Sequence, residues 1–308
     1  MNKRLRVAVL MGGKSPEHHI SLISGREVVK NLDRRKYEVI PLVISKDNAF
    51  PFGQLSIVNC QLFFIAMHGP YGEDGTMQGF LDLIGVPYTG SGVLASALGM
   101  DKISSRKLFT QDGLNVPKYL MVQRGDSING ILSKLKLPLF VKPRAQGSSV
   151  GVSKVKVKKD LKKALGNAFS YGDEVIVEEF LGGTEVTCAI LGNKKPRALP
   201  LVEIVPKKEF FDLEAKYDPN LTAEIVPARI SRALTKKAQN AALCAYKALD
   251  CRGFGRIDMI ISKGRPYVLE VNTIPGLTPV SLFPKAAGAA GLTYQKLLDQ
   301  IITLALEN

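Results

Sequence analysis

Over the first ninety residues, short apolar runs alternate with amphipathic stretches, which restricts this part of the chain to a layered α/β fold. Val7–Met11 reads as a buried strand that turns through Gly12-Gly13 into a helix over Ser21–Leu32. Tyr37–Ile44 and Leu62–Met67 read as a second and a third strand. Strands separated by helical crossovers pair in parallel, so a parallel sheet covered by helices is expected. Residues 45–61, broken by Pro51 and Gly53, carry no period. The turn-rich segment Pro87-Tyr88-Thr89-Gly90-Ser91-Gly92 places a first domain boundary at 90.

The pattern then changes. A helix is expected over Asp101–Gln111, with Asp101 as its N-cap and Gly113 closing it. Strands at Leu139–Lys142 and Val150–Val155 flank a small polar loop, a helix covers Asp160–Ala168, and Glu174–Phe180 forms another strand. Glu185–Leu191 and Leu199–Ile204 read as antiparallel strands, and Ser231–Leu249 as a long helix. Arg256–Ile261 and Pro266–Val271 read as a hairpin around Lys263-Gly264, before a final amphipathic helix over Tyr294–Leu306. The long polar stretch Pro206–Ala223 has no period and is expected to be a loop over the site.

Composition excludes several function classes. With 45% hydrophobic and 23% charged residues, the chain is an ordinary globular one, and no apolar run approaches the ~20 residues of a membrane helix. The basic start Met1-Asn2-Lys3-Arg4 is followed by an apolar stretch that stops at Gly12-Gly13, so it reads as a strand rather than a leader and the protein is expected in the cytoplasm. Cys60, Cys188, Cys244 and Cys251 are scattered and read as reduced, small apolar residues. Three histidines argue against a zinc site. A formal charge of +14 fits either nucleic acid or a phosphate-rich small substrate. The densest basic cluster, Lys154, Lys156, Lys158, Lys159, Lys162 and Lys163, lacks interleaved aromatics and the chain has no tryptophan, so nucleic acid is the weaker reading. Neither a nucleic-acid nor a membrane partner is expected.

Two glycine motifs mislead. Gly12-Gly13-Lys14-Ser15 would need a glycine at Ala8 to make a phosphate-binding loop, and Gly90-Ser91-Gly92 follows Val86-Pro87-Tyr88, a poor central strand. More chemistry lies in Arg256-Ile257-Asp258 and Glu270-Val271-Asn272. Alternate side chains of a strand share a face, so a hairpin gathers a guanidinium, two carboxylates and an amide on one surface. Hard oxygens in that number suit Mg²⁺ held together with substrate phosphates; a cross-strand salt bridge would also account for them. Lys142 ends an apolar strand and precedes Gln146-Gly147-Ser148-Ser149-Val150-Gly151, whose small residues can cradle an anion. Lys102 is the second lysine placed to meet such an anion.

The order Gly12-Gly13-x-Ser15-x-Glu17-His18, His68-Gly69, Glu73-Asp74-Gly75-Thr76, Thr89-Gly90-Ser91-Gly92, Met100-Asp101-Lys102, Val141-Lys142-Pro143, Gly147-Ser148-Ser149-Val150-Gly151, Glu214-Ala215-Lys216-Tyr217, Gly255-Arg256-Ile257-Asp258 and Glu270-Val271-Asn272-Thr273-x-Pro275-Gly276 resembles the D-alanine–D-alanine ligases. The likeness runs the whole chain. It implies a three-domain ATP-grasp architecture: an N-terminal parallel α/β domain over 1–90, and two α+β domains, 91–178 and 179–308, enclosing ATP. It further implies that Lys102, Lys142, Ser149 and Lys216 hold ATP phosphates. Glu178 and the backbone at Glu179 and Leu181 would read the adenine beside Phe180 and Phe210, and Glu185 would take the ribose. Asp258, Glu270 and Asn272 would bind two Mg²⁺ ions, with Mn²⁺ as a substitute. Glu17 and His68 would meet the first D-alanine, Ser281 and Leu282 the carboxylate of the second. Arg256 and the Gly276 N–H would stabilise an oxyanion, while Tyr217 and Ser148 form a hydrogen-bonded chain with Glu17. The expected reaction is ATP-dependent joining of two D-alanines through a D-alanyl phosphate, supplying a peptidoglycan precursor. A D-alanine–D-lactate enzyme, which carries a histidine in place of Lys216-Tyr217, is the near alternative. A homodimer is the assembly common among relatives.

Overall fold

In the computed structural model, residues 4–47, 59–147, 149–206 and 222–307 are described. A parallel sheet in the order β2-β1-β3 opens the fold, made of β1 (Leu5–Gly12), β2 (Tyr37–Ile44) and β3 (Leu62–Ile65). Helix α1 (His18–Asn31) packs on β1. The apolar run of β1 serves both faces at once. Val7, Val9 and Met11 enter one core, while Ala8 and Leu10 enter another with Met77 and Leu81 of α2 (Thr76–Ile84).

A four-stranded antiparallel sheet follows, ordered β4-β7-β5-β6, from β4 (Tyr119–Gln123), β5 (Leu139–Pro143), β6 (Ser153–Val155) and β7 (Glu174–Glu179). Its core closes under α5 (Ile128–Lys134) and α6 (Lys158–Phe169), to which Ile131, Leu161, Leu165 and Phe169 contribute. The exposed side of α6 carries Lys158, Lys159, Lys162 and Lys163.

The third sheet has six strands, ordered β11-β10-β8-β12-β13, with β9 on the side of β8. They are β8 (Thr184–Leu191), β9 (Arg197–Ala198), β10 (Val202–Pro206), β11 (Thr222–Ile225), β12 (Phe254–Ser262) and β13 (Arg265–Asn272). Both faces are buried, and β8 shows how: Val186, Cys188 and Ile190 face α7 (Arg232–Ala248), whereas Ala189 and Leu191 face the other way. On that second side α8 (Leu282–Ala289) and α9 (Tyr294–Ala305) fill the space towards the parallel sheet, so Phe283, Leu297 and Ile301 share a core with Val7 and Leu62. The parallel unit and the large sheet are thus one packed body. Helices α3 (Val93–Met100) and α4 (Lys102–Gln111) lie against β13, and Ala95 and Phe109 enter the core of the large sheet although they precede the central strands in sequence.

Local differences from the expected elements have local causes. The strand expected over Val150–Val155 shortens because Val150 and Val152 donate backwards to the Gly147 and Ser149 carbonyls at 3.0 and 3.2 Å, closing turns. The strand expected over Leu199–Ile204 begins only at Val202 and runs to Pro206, since Pro200 has no N–H to donate to the ladder. Helix α4 is capped as expected, Asp101 accepting from the N–H groups of Ile103 and Ser104 at 3.0 and 2.9 Å. Most of the segment 206–223 lies outside the described residues. All four cysteines are free, and no helix among the described residues is long and apolar enough to cross a membrane.

Candidate active site

The hairpin β12–β13 does what strand alternation requires. Arg256 faces Asn272 and Asp258 faces Glu270 across the ladder, and the register slips between Asp258 and Met259, leaving Leu269 as the extra residue of a bulge. The Arg256 guanidinium grips Asp258 with two 2.8 Å hydrogen bonds. Thr187 on β8 donates to the same carboxylate at 2.6 Å, and the Asn272 amide at 3.1 Å. Burial alone would lower the Arg256 pKa, but Asp258, then Glu270 and Glu73, hold it above its ordinary value, so the guanidinium is a permanent cation.

This strip separates two cavities. The first lies between the hairpin and the four-stranded sheet, with Asp258 and Glu270 on one wall and Lys142, Glu178 and Ser149 opposite. Lys102, Glu179, Leu181 and Glu185 complete it. The Lys102 ammonium donates to the Gln146 carbonyl at 2.6 Å and stands 3.3 Å from Glu270. Lys142 pairs with one oxygen of Glu178, and Arg106 of α4 with the other. Burial pushes the Glu178 carboxyl up, but Arg106 and Lys142 outweigh it and hold it below the usual range. The Glu179 carboxylate accepts from the Lys118 N–H at 2.9 Å. Phe180 is not among the described lining residues; it packs 6.1 Å from Phe140, with the Lys154 ammonium 4.2 Å above its ring.

The second cavity, of about 640 Å³, is roomy enough for two small amino acids. Glu17, His68 and Glu73 line it from the parallel unit, and Arg256, Gly276, Ser281 and Leu282 from the large one. His68 is held at both ring nitrogens, Nδ1 by the Ile274 carbonyl at 3.0 Å and Nε2 by the Ser24 hydroxyl at 2.8 Å. The carbonyl can only accept, so Nδ1 carries the proton. Burial lowers the His68 pKa, more than the nearby Glu17 raises it, and keeps the ring neutral. Glu73 accepts from the Gly69 N–H at 3.0 Å, and burial, with Glu17 beside it, pushes its carboxyl up to about 8. Ser281 stands at the N-cap position of α8, its hydroxyl bonded to that of Thr278 at 2.8 Å and not to the helix, and Leu282 is the first residue, which puts a helix N-terminus on the cavity wall.

A smaller cavity lined by Lys102, Gly147, Glu270, Asn272 and Glu73 shares residues with both. A Cβ on Gly147 would stand 2.9 Å from Glu17 Oε2, so a side chain at this position would displace the Glu17 carboxylate. Ser148, Phe210, Lys216 and Tyr217 lie outside the described residues. Among the residues with no expected role, Glu73 lines the second cavity, Thr187 holds Asp258, and Arg106 lies behind the first cavity against Glu178. Arg106 follows Lys102 by four positions and so shares its helix face, a spacing that could have revealed it. No group of three His, Cys, Asp or Glu able to hold a metal occurs among the described residues. The set Asp258, Glu270 and Asn272 nevertheless fits Mg²⁺, being hard oxygen donors too few to enclose the ion without phosphate oxygens.

Two antiparallel sheets closing on a cavity of lysines and carboxylates, set against a parallel α/β unit, define a protein of the ATP-grasp class. The family models of the D-ala D-ala ligase N-terminus and C-terminus match residues 6–57 and 52–91, and residues 108–303. The D-alanine–D-alanine ligase of Desulforudis audaxviator is 48% identical over 305 residues, 98% of this chain and 99% of its own. The chain therefore belongs to the D-alanine–D-alanine ligase family. The crystal structure of the Bacillus anthracis D-alanine–D-alanine ligase complexed with ATP superposes with a TM-score of 0.87 at 40% identity, covering 99% of this chain and 98% of the other. The VanG D-Ala:D-Ser ligase of Enterococcus faecalis superposes with a TM-score of 0.85 at 34% identity, covering 98% of this chain and all of its own.

Proposed function

We propose that this protein is a cytoplasmic enzyme that joins two D-alanines to D-alanyl-D-alanine at the expense of ATP, for cell-wall precursor synthesis. The observation that carries this reading is the Arg256–Asp258–Glu270–Asn272 strip between the two cavities. A nucleotide in the first would bring its terminal phosphate to the strip, and an amino acid in the second its carboxylate. Lys102, Lys142 and the loop at Ser149 would hold the phosphates. Glu178, the Glu179 carbonyl and the Leu181 N–H would read the adenine, and Glu185 the ribose. Asp258, Glu270 and Asn272 would hold Mg²⁺, which neutralises phosphate charge when bound.

A carboxylate is a poor electrophile, so the first D-alanine, its ammonium near Glu17, would attack the γ-phosphate in line, expelling ADP from phosphorus and forming an acyl phosphate that stays in the cavity. The free amine of the second D-alanine, its carboxylate on Ser281 and the Leu282 N–H, would then attack the acyl carbon. Arg256 and the Gly276 N–H would meet the oxyanion before phosphate departs. Neutral His68, fixed at both nitrogens, would position the wall and take no part in proton transfer.

The test is ADP formation from ATP with D-alanine, then with L-alanine, D-serine and D-lactate as competing acceptors. D-alanine-dependent turnover with D-alanyl-D-alanine as the main product is expected. A main product ending in D-serine or D-lactate would move the chain to a sister activity; no turnover at all would remove the reading. Glu270→Gln should lower the thermal midpoint only modestly, because Lys102 keeps the Gln146 carbonyl when it loses the Glu270 charge, while raising the Mg²⁺ needed for half-maximal turnover about tenfold or more. Wild-type turnover at limiting Mg²⁺ would remove Glu270 from the metal site.

A further inference from the structure

Among the described residues, Arg106 is the largest side chain that is wholly buried. It reaches from α4 to the back of the first cavity, where it pairs with Glu178, packs its guanidinium 5.4 Å from the Tyr119 ring, and donates to the carbonyl of bulged Leu269 at 3.5 Å. Its Nε and Nη1 find no hydrogen-bond partner among the described residues. A buried guanidinium left so short of partners is expensive, and a leucine or methionine would fill the same space more cheaply. Packing alone therefore does not explain the residue.

Its use follows from the charges it faces. Glu178 is buried and carries two cations, Arg106 behind it and Lys142 in front, with side-chain exposures of 1% and 14%. Lys142, the one open to the cavity, cannot hold Glu178 and a phosphate equally well. If it were the only partner, its departure would strand a carboxylate in a dry site. We infer that Arg106 is a positioning residue, the standing counter-ion of Glu178 that frees Lys142 to move from the carboxylate to the phosphates of a bound nucleotide. The inference rests on the reading of the first cavity as the nucleotide site. Before the move the triad carries one net positive charge, which attracts phosphate; after it, Arg106 and Glu178 remain as a neutral buried pair.

A consequence separates this role from simple core filling. Without Arg106, Lys142 stays on Glu178 while that carboxylate is ionised and is released when it is protonated. Loss of Arg106 removes one of the two cations that hold the Glu178 pKa down, so burial weighs more and the carboxylate is protonated at a higher pH than in the wild type. The other ionisable groups around Glu178 are Tyr119 on β4 and Glu179 on its own strand, with Lys102, Glu185, Asp258 and Glu270 across the cavity. All of them are retained in the variants, so the wild-type pH profile serves as the control.

The experiment measures ATP affinity, by direct titration and as KM, for wild type, Arg106→Met and Arg106→Lys between about pH 6 and about pH 8.5. The methionine variant should bind ATP at least ~10-fold more weakly at the alkaline end, with kcat within about threefold, and should recover affinity as the pH falls. The lysine variant keeps the charge and should stay within about threefold of wild type throughout. A methionine variant with wild-type ATP affinity, or one with a loss independent of pH, overturns the inference. So does a lysine variant that melts like wild type yet binds ATP ~10-fold more weakly. If the methionine variant does not fold, the lysine variant decides by the same two limits. Titration keeps this outcome distinct from failure of the ligase reading, which would appear as absence of D-alanine-dependent ADP formation in the wild type.

Discussion

Arg256→Met and Arg256→Lys are both expected to lower kcat by about 10²–10³, with a much smaller loss of ATP affinity. Arg256 stands on the wall of the second cavity, while Asp258, which it grips with two 2.8 Å bonds, lines the first. A group in that position meets charge developing at the acyl carbon and leaves the adenine end untouched. Lysine keeps the charge but cannot both hold Asp258 in a fork and present a second donor to an oxyanion. The carboxylate would keep Thr187 at 2.6 Å and Asn272 at 3.1 Å, so it is not stranded and the fold should survive. Steady-state kinetics with a parallel ATP titration and a melting curve check the result. A lysine variant with full turnover would reduce the pair to a structural salt bridge.

Glu73→Gln is expected to stabilise the protein at mildly alkaline pH, by on the order of 2–4 kcal/mol. The folded Glu73 carboxyl is pushed from an ordinary 4.5 up to about 8, by burial first and by Glu17 second. Unfolded chain gives up this proton near the lower value, whereas folded protein must either keep it or bury a charge. Stability at this site is therefore intact below about 4.5, declines as the pH rises, and levels off above about 8. Glutamine can still accept from the Gly69 N–H that Glu73 holds at 3.0 Å, and it never ionises. The difference in melting temperature between variant and wild type should widen from about pH 5 to about pH 8 and then stay constant. Parallel melting curves over that range would show that Glu73 is ionised in the folded protein.

The site was readable in sequence wherever a local rule fixes direction. Period-two alternation put Arg256 with Asp258 and Glu270 with Asn272, and the ladder pairs them as expected. The cap at Asp101, the lysine ending β5 and the small-residue loop after it were visible for the same reason. Four short helices, at 76–84, 93–100, 128–134 and 282–289, carried no comparable signal. Thr76–Ile84 does bury one face, through Met77, Gln78 and Leu81, but spans too few turns to establish a period, whereas Val93–Met100 is apolar nearly all round and shows no clear face. Glu73 stood within a recognised motif, yet its elevated pKa depends on Glu17, more than fifty residues away, and on burial by elements from both ends of the chain.

Sequence by itself determined the family, the parallel first unit, the paired polar strands and the charged residues that line the first cavity. Each of these follows from residue order or from a period of two or 3.6, which the backbone imposes without reference to distant contacts. Tertiary structure alone decided what those side chains face. It packed α8 and α9 between the parallel unit and the large sheet, put α3 and α4 on β13, and brought Glu17 within reach of Gly147. It also gave Glu178 two counter-ions, one of them in a helix more than seventy residues earlier. Charge and burial act through space, so a carboxylate's neighbours, and with them its proton affinity and its role, are set only once the chain has closed around it.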